Sequence, residues 1–176
     1  MTADESAVRP LTGRQPTVDR SARRPGVRLG VDPGTKRVGV SRSDPDGLMA
    51  IPLETIPAPG DPLARSVLAR IAQLVVETGA MEVVVGFPVA LDGSHGPAAQ
   101  AVERFAIKLA RQLTPVPVRL VDERLSTARV TKRLREAGHD SRSMRAVVDR
   151  VAAAEILQHA LDAEAAQAGP PGRLVR

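Results

Sequence analysis

Two short apolar stretches joined by a glycine turn, VRLGVDPGTKRVGVSRSD at residues 27–44, constrain the fold of this chain more than any other segment. Apolar residues alternate with others up to Asp32, which indicates a strand with a buried face. Pro33 and Gly34 predict a turn, after which the alternation resumes in a second strand that must return along the first. The pattern therefore places one carboxylate at the end of a sheet strand, beside the cations Lys36 and Arg37.

The remaining pattern predicts one α/β domain, since 176 residues are enough for a single ordinary core. The order is β-β-β-α-β-α-β-α-α, a hairpin sheet extended by right-handed crossovers and covered by helices. The third strand contains Pro52, and the first helix begins with Asp61 as its N-cap. The other predicted elements are strands at 48–56, 81–85 and 116–121, and helices at 61–77, 97–113, 126–137 and 144–165.

The two ends of the chain lack such patterns. Residues 1–26 are polar, rich in arginine and without an apolar segment, so we predict a disordered basic tail and no signal peptide. Residues 167–176 predict a flexible C-terminal tail, which leaves 27–166 as the folded domain. No apolar run is long enough to span a membrane, and we expect a cytoplasmic protein.

Candidate catalytic residues lie where the predicted parallel strands end. Asp32 and Glu123 follow strands whose carboxyl ends meet at one edge of the sheet, where ligands of such sheets bind. Asp149 lies in the last helix among small apolar residues. Each has a simpler interpretation: Asp32 as a turn residue, Glu123 as a surface residue with which Asp122 competes, and Asp149 as a solvated side chain or a partner of Arg145.

Three convergent carboxylates would form an oxygen-ligand site for Mg²⁺ or Mn²⁺. Phosphodiester hydrolysis commonly uses one or two such ions, which supply the nucleophile without a catalytic serine or cysteine. The chain has no cysteine, so any metal must be bound by oxygen or histidine. Nearby cations are the predicted phosphate-binding residues, namely Lys36, Arg37, Arg124 and Arg145.

The charge distribution favours a polyanionic partner. The formal charge is +5, and residues 124–150 carry eight basic but only three acidic side chains. The chain has no tryptophan or tyrosine and only two phenylalanines, so base-stacking modules are disfavoured. Structured RNA or branched DNA, read through backbone and shape, is the expected partner.

Four segments together resemble the YqgF/RuvX family, which has an RNase H-like fold. They are LGVDPGTKRVGV, GFPVALDG, VDERLST and VVDRVAAAEILQHALD, and the resemblance covers about residues 27–163. The resemblance implies a mixed five-stranded sheet, three antiparallel strands followed by two parallel ones, flanked by helices. It also implies metal-dependent cleavage by Asp32, Glu123 and Asp149 at the 5′ end of precursor 16S ribosomal RNA. Some members are described as Holliday junction resolvases, an activity that favours a homodimer.

The chain departs from the pattern of RNase H-like nucleases at Gly86, near which many of them carry an acidic residue. Glu123 would then have to reach across two strand spacings of about 4.8 Å, or the site would bind one ion instead of two. The motif that usually reads LTT after DER has Ser126 here, which retains a hydroxyl. His95, in a glycine-rich loop at the same edge, is a lesser candidate for contacting phosphate or water.

Two further functions compete with a nuclease. DPGTKRVGV also resembles the first phosphate motif of actin-like and sugar-kinase ATPases, but the chain has one such domain and no second phosphate loop. A non-catalytic RNA-binding ribosome-assembly factor would use the basic segment 124–150 alone, and its binding would depend on salt but not on metal.

Overall fold

The computed structural model describes residues 23–89, 95–122, 142–167 and 169–176, with the helical backbone alone for residues 142–148. Six strands and three helices lie in these ranges, and their order along the chain agrees with the predicted order. They are β1 Arg28–Pro33, β2 Arg37–Ser43, β3 Ala50–Pro57, α1 Arg65–Thr78, β4 Glu82–Phe87, α2 Pro97–Leu113, β5 Val118–Asp122, α3 Arg142–Gln167 and β6 Arg173–Leu174. The predicted helix at 126–137 and most of the N-terminal tail lie outside the described residues.

The strands form one mixed sheet in the order β3-β2-β1-β4-β5-β6. Strands β1, β2 and β3 pair antiparallel, and β4 and β5 extend the sheet from β1 by parallel pairing. This arrangement confirms the predicted three antiparallel strands followed by two parallel ones. It also confirms that β5 lies two strand positions from β1.

The sheet has six strands, so the prediction of five was wrong. Arg173–Leu174, assigned from the sequence to a flexible tail, pairs antiparallel with β5. The next residue, Val175, is buried and its N–H donates to the carbonyl of Val118 at 2.9 Å. A strand of two residues is too short to show alternation, which is why the sequence pattern missed it.

Strand alternation separates the two faces of the sheet. Leu29 and Val31 belong to the larger core cluster, which includes the buried residues of α1 and α2. Gly30, between them, approaches Ala153 and Leu157 of α3 on the other face. The smaller core cluster on that face joins α3 to β4 and β5. Residues two apart along a strand therefore lie on the same face of the sheet and face the same layer of helix.

Two local predictions are corrected or explained. Helix α1 begins at Arg65 with Ala64 as its N-cap, and Asp61 instead accepts the N–H of Leu63 at 2.8 Å in the turn before it. The Asp61 carbonyl also accepts the N–H of Ala64, so the residues from 61 to 64 form a separate turn. Pro52 is tolerated because β3 is an edge strand and its register shifts where Pro52 faces Ser41.

A buried ionic cluster joins the amino end of β1 to β4, β5 and α3. Glu164 of α3 accepts hydrogen bonds from Arg24 and Arg28, the shortest at 2.8 Å from Arg28. Glu82 of β4 accepts from Arg24 at 2.7 Å and from Arg119 of β5 at 2.6 Å. Arg24, which the sequence interpretation placed in the disordered tail, is thus held by two carboxylates, and the ordered body begins before residue 27.

Glu164 is almost completely buried in this cluster. Burial by itself would raise its pKa, but the hydrogen bonds and charge of Arg24, together with Arg28, outweigh burial and hold the pKa below its ordinary value of 4.5. A carboxylate with a lowered pKa in the folded state stabilises the fold at neutral pH. That stabilisation disappears as the pH falls below 4.5 and through the folded-state pKa.

We expect Glu164→Gln to lower the free energy of unfolding at pH 7 by about 3–5 kcal/mol, because it leaves the buried Arg28 without its carboxylate partner and Arg24 with Glu82 alone. The difference from wild type should shrink as the pH falls below 4.5. Chemical denaturation between pH 7 and pH 3.5 measures both. Asp162→Asn is the matched control, since the Asp162 side chain is exposed and its ion pair with Arg23 is 3.7 Å long. It should cost less than about 1 kcal/mol, and an equal loss in both variants would contradict the prediction.

Candidate functional site

Asp32 lies near the end of β1 and is 5% exposed. In the antiparallel pairing with β2 it faces Gly39, just as Gly30 faces Ser41 two residues earlier. Since Gly30 contacts α3 and side chains two apart share a face, Asp32 also lies on the α3 side of the sheet. The structure therefore places this carboxylate at the carboxyl edge of β1, under the amino-terminal half of α3.

Helix α3 lies unusually close to β2 at this point. The Ser41 hydroxyl donates to the main-chain carbonyl of Ala153 at 2.8 Å. One helical turn earlier, the main-chain carbonyl of Asp149 lies so close to Gly39 that a β-carbon at residue 39 would overlap it. The two contacts align one turn of α3 with two residues of β2, and they bring Asp149 over the pair formed by Asp32 and Gly39.

Asp149 is also 5% exposed, and its carboxylate is paired with an arginine of the sheet. The Nε of Arg37 donates to Asp149 Oδ2 at 2.6 Å. The sequence pattern assigns Arg37 to phosphate, and its alternative partner for Asp149, the Arg145 side chain, lies outside the described residues. The signal for the observed pair was present, because Arg37 lies two and four residues before Gly39 and Ser41 and therefore shares their face.

The turn between β1 and β2 is held from both sides. The Gly34 N–H donates to the carbonyl of Arg37 at 3.0 Å and closes the turn. The carbonyls of Thr35 and Lys36 accept the N–H groups of Gly60 and Ala58, just beyond β3. The backbone that carries Lys36 and Arg37 is thus fixed, while the Lys36 side chain is exposed to solvent. An exposed cation on a fixed turn is available to a phosphate.

At the end of β5 the sequence has two neighbouring acidic residues, Asp122 and Glu123, and the structure describes the first of them. Asp122 pairs with Phe87, whose side chain is in the core on the α1 and α2 side. Val121 pairs with Gly86 and contacts the α3 face, so Asp122 lies on the face opposite Asp32. Glu123, the predicted third carboxylate, lies outside the described residues, as do Arg124 and the side chain of Arg145.

His95 lies on the same side as Phe87. Its ring contacts the Phe87 ring edge to face, with the ring centres 5.1 Å apart and the planes at 85°. The residue is exposed, but this contact holds it on the sheet face away from Asp32 and Asp149. Among the described residues His95 therefore has a packing contact with Phe87.

A shallow cavity of about 160 Å³ also opens beside the turn, on the α2 side. It is mostly apolar and begins at the residues that directly follow Asp32. Its lining comprises Pro33, Gly34, Thr35, Pro62, Pro88, Ala98, Ala101, Val102 and Phe105. No titratable side chain is among these residues, so the cavity offers no charged group to a metal or a phosphate.

The two carboxylates suit a hard divalent cation. Mg²⁺ and Mn²⁺ prefer oxygen ligands, and Mg²⁺ is often bound by one or two carboxylates with water and substrate phosphate as the remaining ligands. Asp32 and Asp149 are nearly buried on one face, and the observed partner of Asp149 is itself a cation. Within the described ranges no cluster of three or more acidic, histidine or cysteine residues occurs, so a third protein ligand would have to come from elsewhere, as Glu123 would.

The chain is similar to several known proteins. Residues 26–163 match the family model described as "RuvX: Holliday junction resolvase". The chain is 52% identical over 160 residues to a "Putative pre-16S rRNA nuclease" of Thermobifida fusca, covering 86% of this chain and 97% of the relative. A protein of the same name from Nocardioides sp. is 50% identical over 154 residues, covering the same shares of the two chains. Among solved structures, Thermus thermophilus RuvC bound to a Holliday junction aligns with a TM-score of 0.48 at 18% identity, covering 82% of this chain and 99% of RuvC.

Gly39→Ala tests the close approach of α3 to β2. The added methyl group would overlap the Asp149 carbonyl, so the helix must move, and we expect a loss of about 1–3 kcal/mol in the free energy of unfolding. Chemical denaturation measures the loss. Gly96→Ala is the matched control, because nothing lies within 4 Å of a β-carbon at that position. Equal stability of Gly39→Ala and the wild type would mean that the helix is not seated as described.

Proposed function

The chain belongs to the RuvX family, and on that premise we propose that it is a metal-dependent endonuclease that processes the 5′ end of precursor 16S ribosomal RNA. The observation that carries the proposal is the pair of nearly buried carboxylates, Asp32 and Asp149, which two distant segments bring to one sheet edge. Relatives about half identical over most of this chain are named for this substrate. An rRNA-processing role would place the protein in the cytoplasm, and among the described residues no helix is long and apolar enough to cross a membrane.

Asp32, Glu123 and Asp149 would hold one or two ions of Mg²⁺ or Mn²⁺. When bound, such ions lower the pKa of a coordinated water and stabilise the charge on the leaving oxygen. The role of the protein is to present carboxylate oxygens on a rigid sheet and helix, so that little reorganisation is needed when substrate arrives. Asp32 is fixed by the pairing of β1 with β2, and Asp149 by the close contact of α3 with Gly39.

Phosphate binding is proposed for the cations around this edge: Lys36, Arg37, Arg124 and Arg145. Lys36 supports the proposal most directly, because its side chain is exposed on a turn whose backbone is hydrogen-bonded on both sides. Contacts of this kind position the nucleic acid backbone without reading its sequence. The lack of tryptophan and tyrosine agrees with recognition by shape and charge.

Cleavage of a four-way DNA junction is the second candidate function. It is favoured by the description of the matching family model, which names Holliday junction resolution. The chemistry would be the same, but two symmetrically placed strands must be cut, so a homodimer with two sites would be required. The two functions therefore differ in substrate and assembly while sharing the same carboxylates.

The deciding experiment is cleavage of labelled precursor 16S rRNA and of a four-way DNA junction with Mg²⁺, Mn²⁺ or EDTA. We expect metal-dependent cutting of the RNA, reduced roughly a hundredfold or more in Asp32→Asn, Asp149→Asn and Glu123→Gln. Preference for the junction would select the second function. Unchanged cutting by Asp32→Asn would remove the proposed site.

Asp122→Asn is the matched control for Glu123→Gln, because the two residues are adjacent in sequence and Asp122 lies on the sheet face opposite Asp32. We expect it to retain near-wild-type cleavage. Salt-sensitive RNA binding without cutting in any metal would instead support a non-catalytic assembly factor.

A further inference from the structure

The two side chains of the ion pair between Arg37 and Asp149 differ in their exposure to solvent. The Asp149 side chain is 7% exposed, whereas the Arg37 side chain is 26% exposed. A nearly buried carboxylate requires a compensating cation, and the charge-assisted bond of 2.6 Å from Arg37 Nε supplies one. The carboxylate is therefore enclosed, while the guanidinium that balances it remains open to solvent on one side.

Arg37 can leave this contact without disturbing the fold. Its backbone is fixed by the Gly34 N–H and by the strand pairing of β2. Within the described part of the chain, Nε is the guanidinium nitrogen that bonds to Asp149, and no other polar partner of the Arg37 side chain is found there. A partly exposed side chain of this kind changes rotamer within nanoseconds. Departure of Arg37 from Asp149 thus breaks this ion pair and requires no backbone movement.

We propose that Arg37 is the counter-ion of Asp149 while no divalent ion is bound, and that it transfers to a phosphate of the nucleic acid when one binds. The inference rests on the proposed function, in which Asp149 is a metal ligand. The guanidinium and a divalent ion compete for the same carboxylate oxygens, and two cations sharing them repel each other. The two non-bridging oxygens of a phosphate diester give the displaced, planar guanidinium a bidentate partner.

This exchange couples the two ligands of the site. A phosphate that draws Arg37 away from Asp149 makes the carboxylate available to metal, and metal on Asp149 makes Arg37 available to phosphate. By linkage the effect must be equal in both directions. The arrangement would leave the metal weakly bound in the absence of substrate and tighten it when nucleic acid is in place.

The test is isothermal titration calorimetry of Mn²⁺ into the full chain without nucleic acid. Arg37→Gln removes the competing cation. We expect this variant to bind Mn²⁺ about three- to tenfold more tightly than wild type, because the ion must no longer displace an ion pair that contributes up to about a tenfold step in affinity. Lys36→Gln is the matched control, since it removes one positive charge from the same turn but not the partner of Asp149. It should change the affinity by less than about twofold.

The proposal would be overturned if Arg37→Gln bound Mn²⁺ no more tightly than wild type. It would also be overturned if the gain in affinity were no larger than that of Lys36→Gln. Asp149→Asn separates it from the proposed function: wild-type affinity in that variant would show that Asp149 is not a metal ligand at all. Nuclear magnetic resonance of the wild type avoids any doubt about folding of the variants. The Arg37 Nε–H resonance should move on titration with Mg²⁺, and a resonance that stays constant at saturating Mg²⁺ would also overturn the exchange.

Discussion

The close contact between α3 and the β1–β2 hairpin determines the geometry of everything else at the site. Glycine at 39 and a serine hydroxyl at 41 let the helix backbone lie directly on the strand. Both contacts involve main-chain carbonyls of α3. They therefore fix the position of the helix along β2 and its rotation about its own axis. Asp149 is carried to its position by the backbone, and its carboxylate requires no long flexible side chain to reach the sheet edge.

The opposite end of the same helix is fixed by charge. Glu164 is bonded to Arg24 and Arg28, and Arg24 continues to Glu82, so α3 is tied to β1 and β4 by a buried network. Buried ion pairs contribute little net stability compared with apolar packing. They do constrain the position of the helix, because a displaced helix would leave a buried charge unpaired. The long helix is therefore positioned at one end by a steric contact and at the other by an ionic one, and the site lies at the steric end.

Arg37 links this scaffold to the proposed chemistry. A pair of nearly buried carboxylates on one face would repel each other, and an arginine on β2 reduces that repulsion before any other cation arrives. The same residue lies beside an exposed lysine on a turn that faces solvent. One side chain thus belongs both to the folded-state charge balance of the site and to its substrate-facing surface.

Much of this could be predicted from residues alone. Alternation in β1 and β2, the turn at Pro33 and Gly34, and the ends of the parallel strands are local properties, so the strand segments and the place of Asp32 near the end of β1 followed from the printed sequence. Periodicity of this kind is a direct consequence of backbone geometry and burial. The family resemblance, confirmed by the matching family model, added the strand order of the sheet and the expected cleavage chemistry of the candidate carboxylates.

What the tertiary structure alone decided are the long-range partners. Arg37 with Asp149 are 112 residues apart, and Arg24 with Glu164 are 140 apart, so no local pattern specifies them. Strand β6 also depends on tertiary contacts, because its two residues pair with β5 next to the buried Val175. Side chains at such distances meet through the packing of whole elements. The sequence by itself therefore determined which residues carry charge and which strand ends they occupy, and the packing of α3 on the sheet decided which charges balance each other.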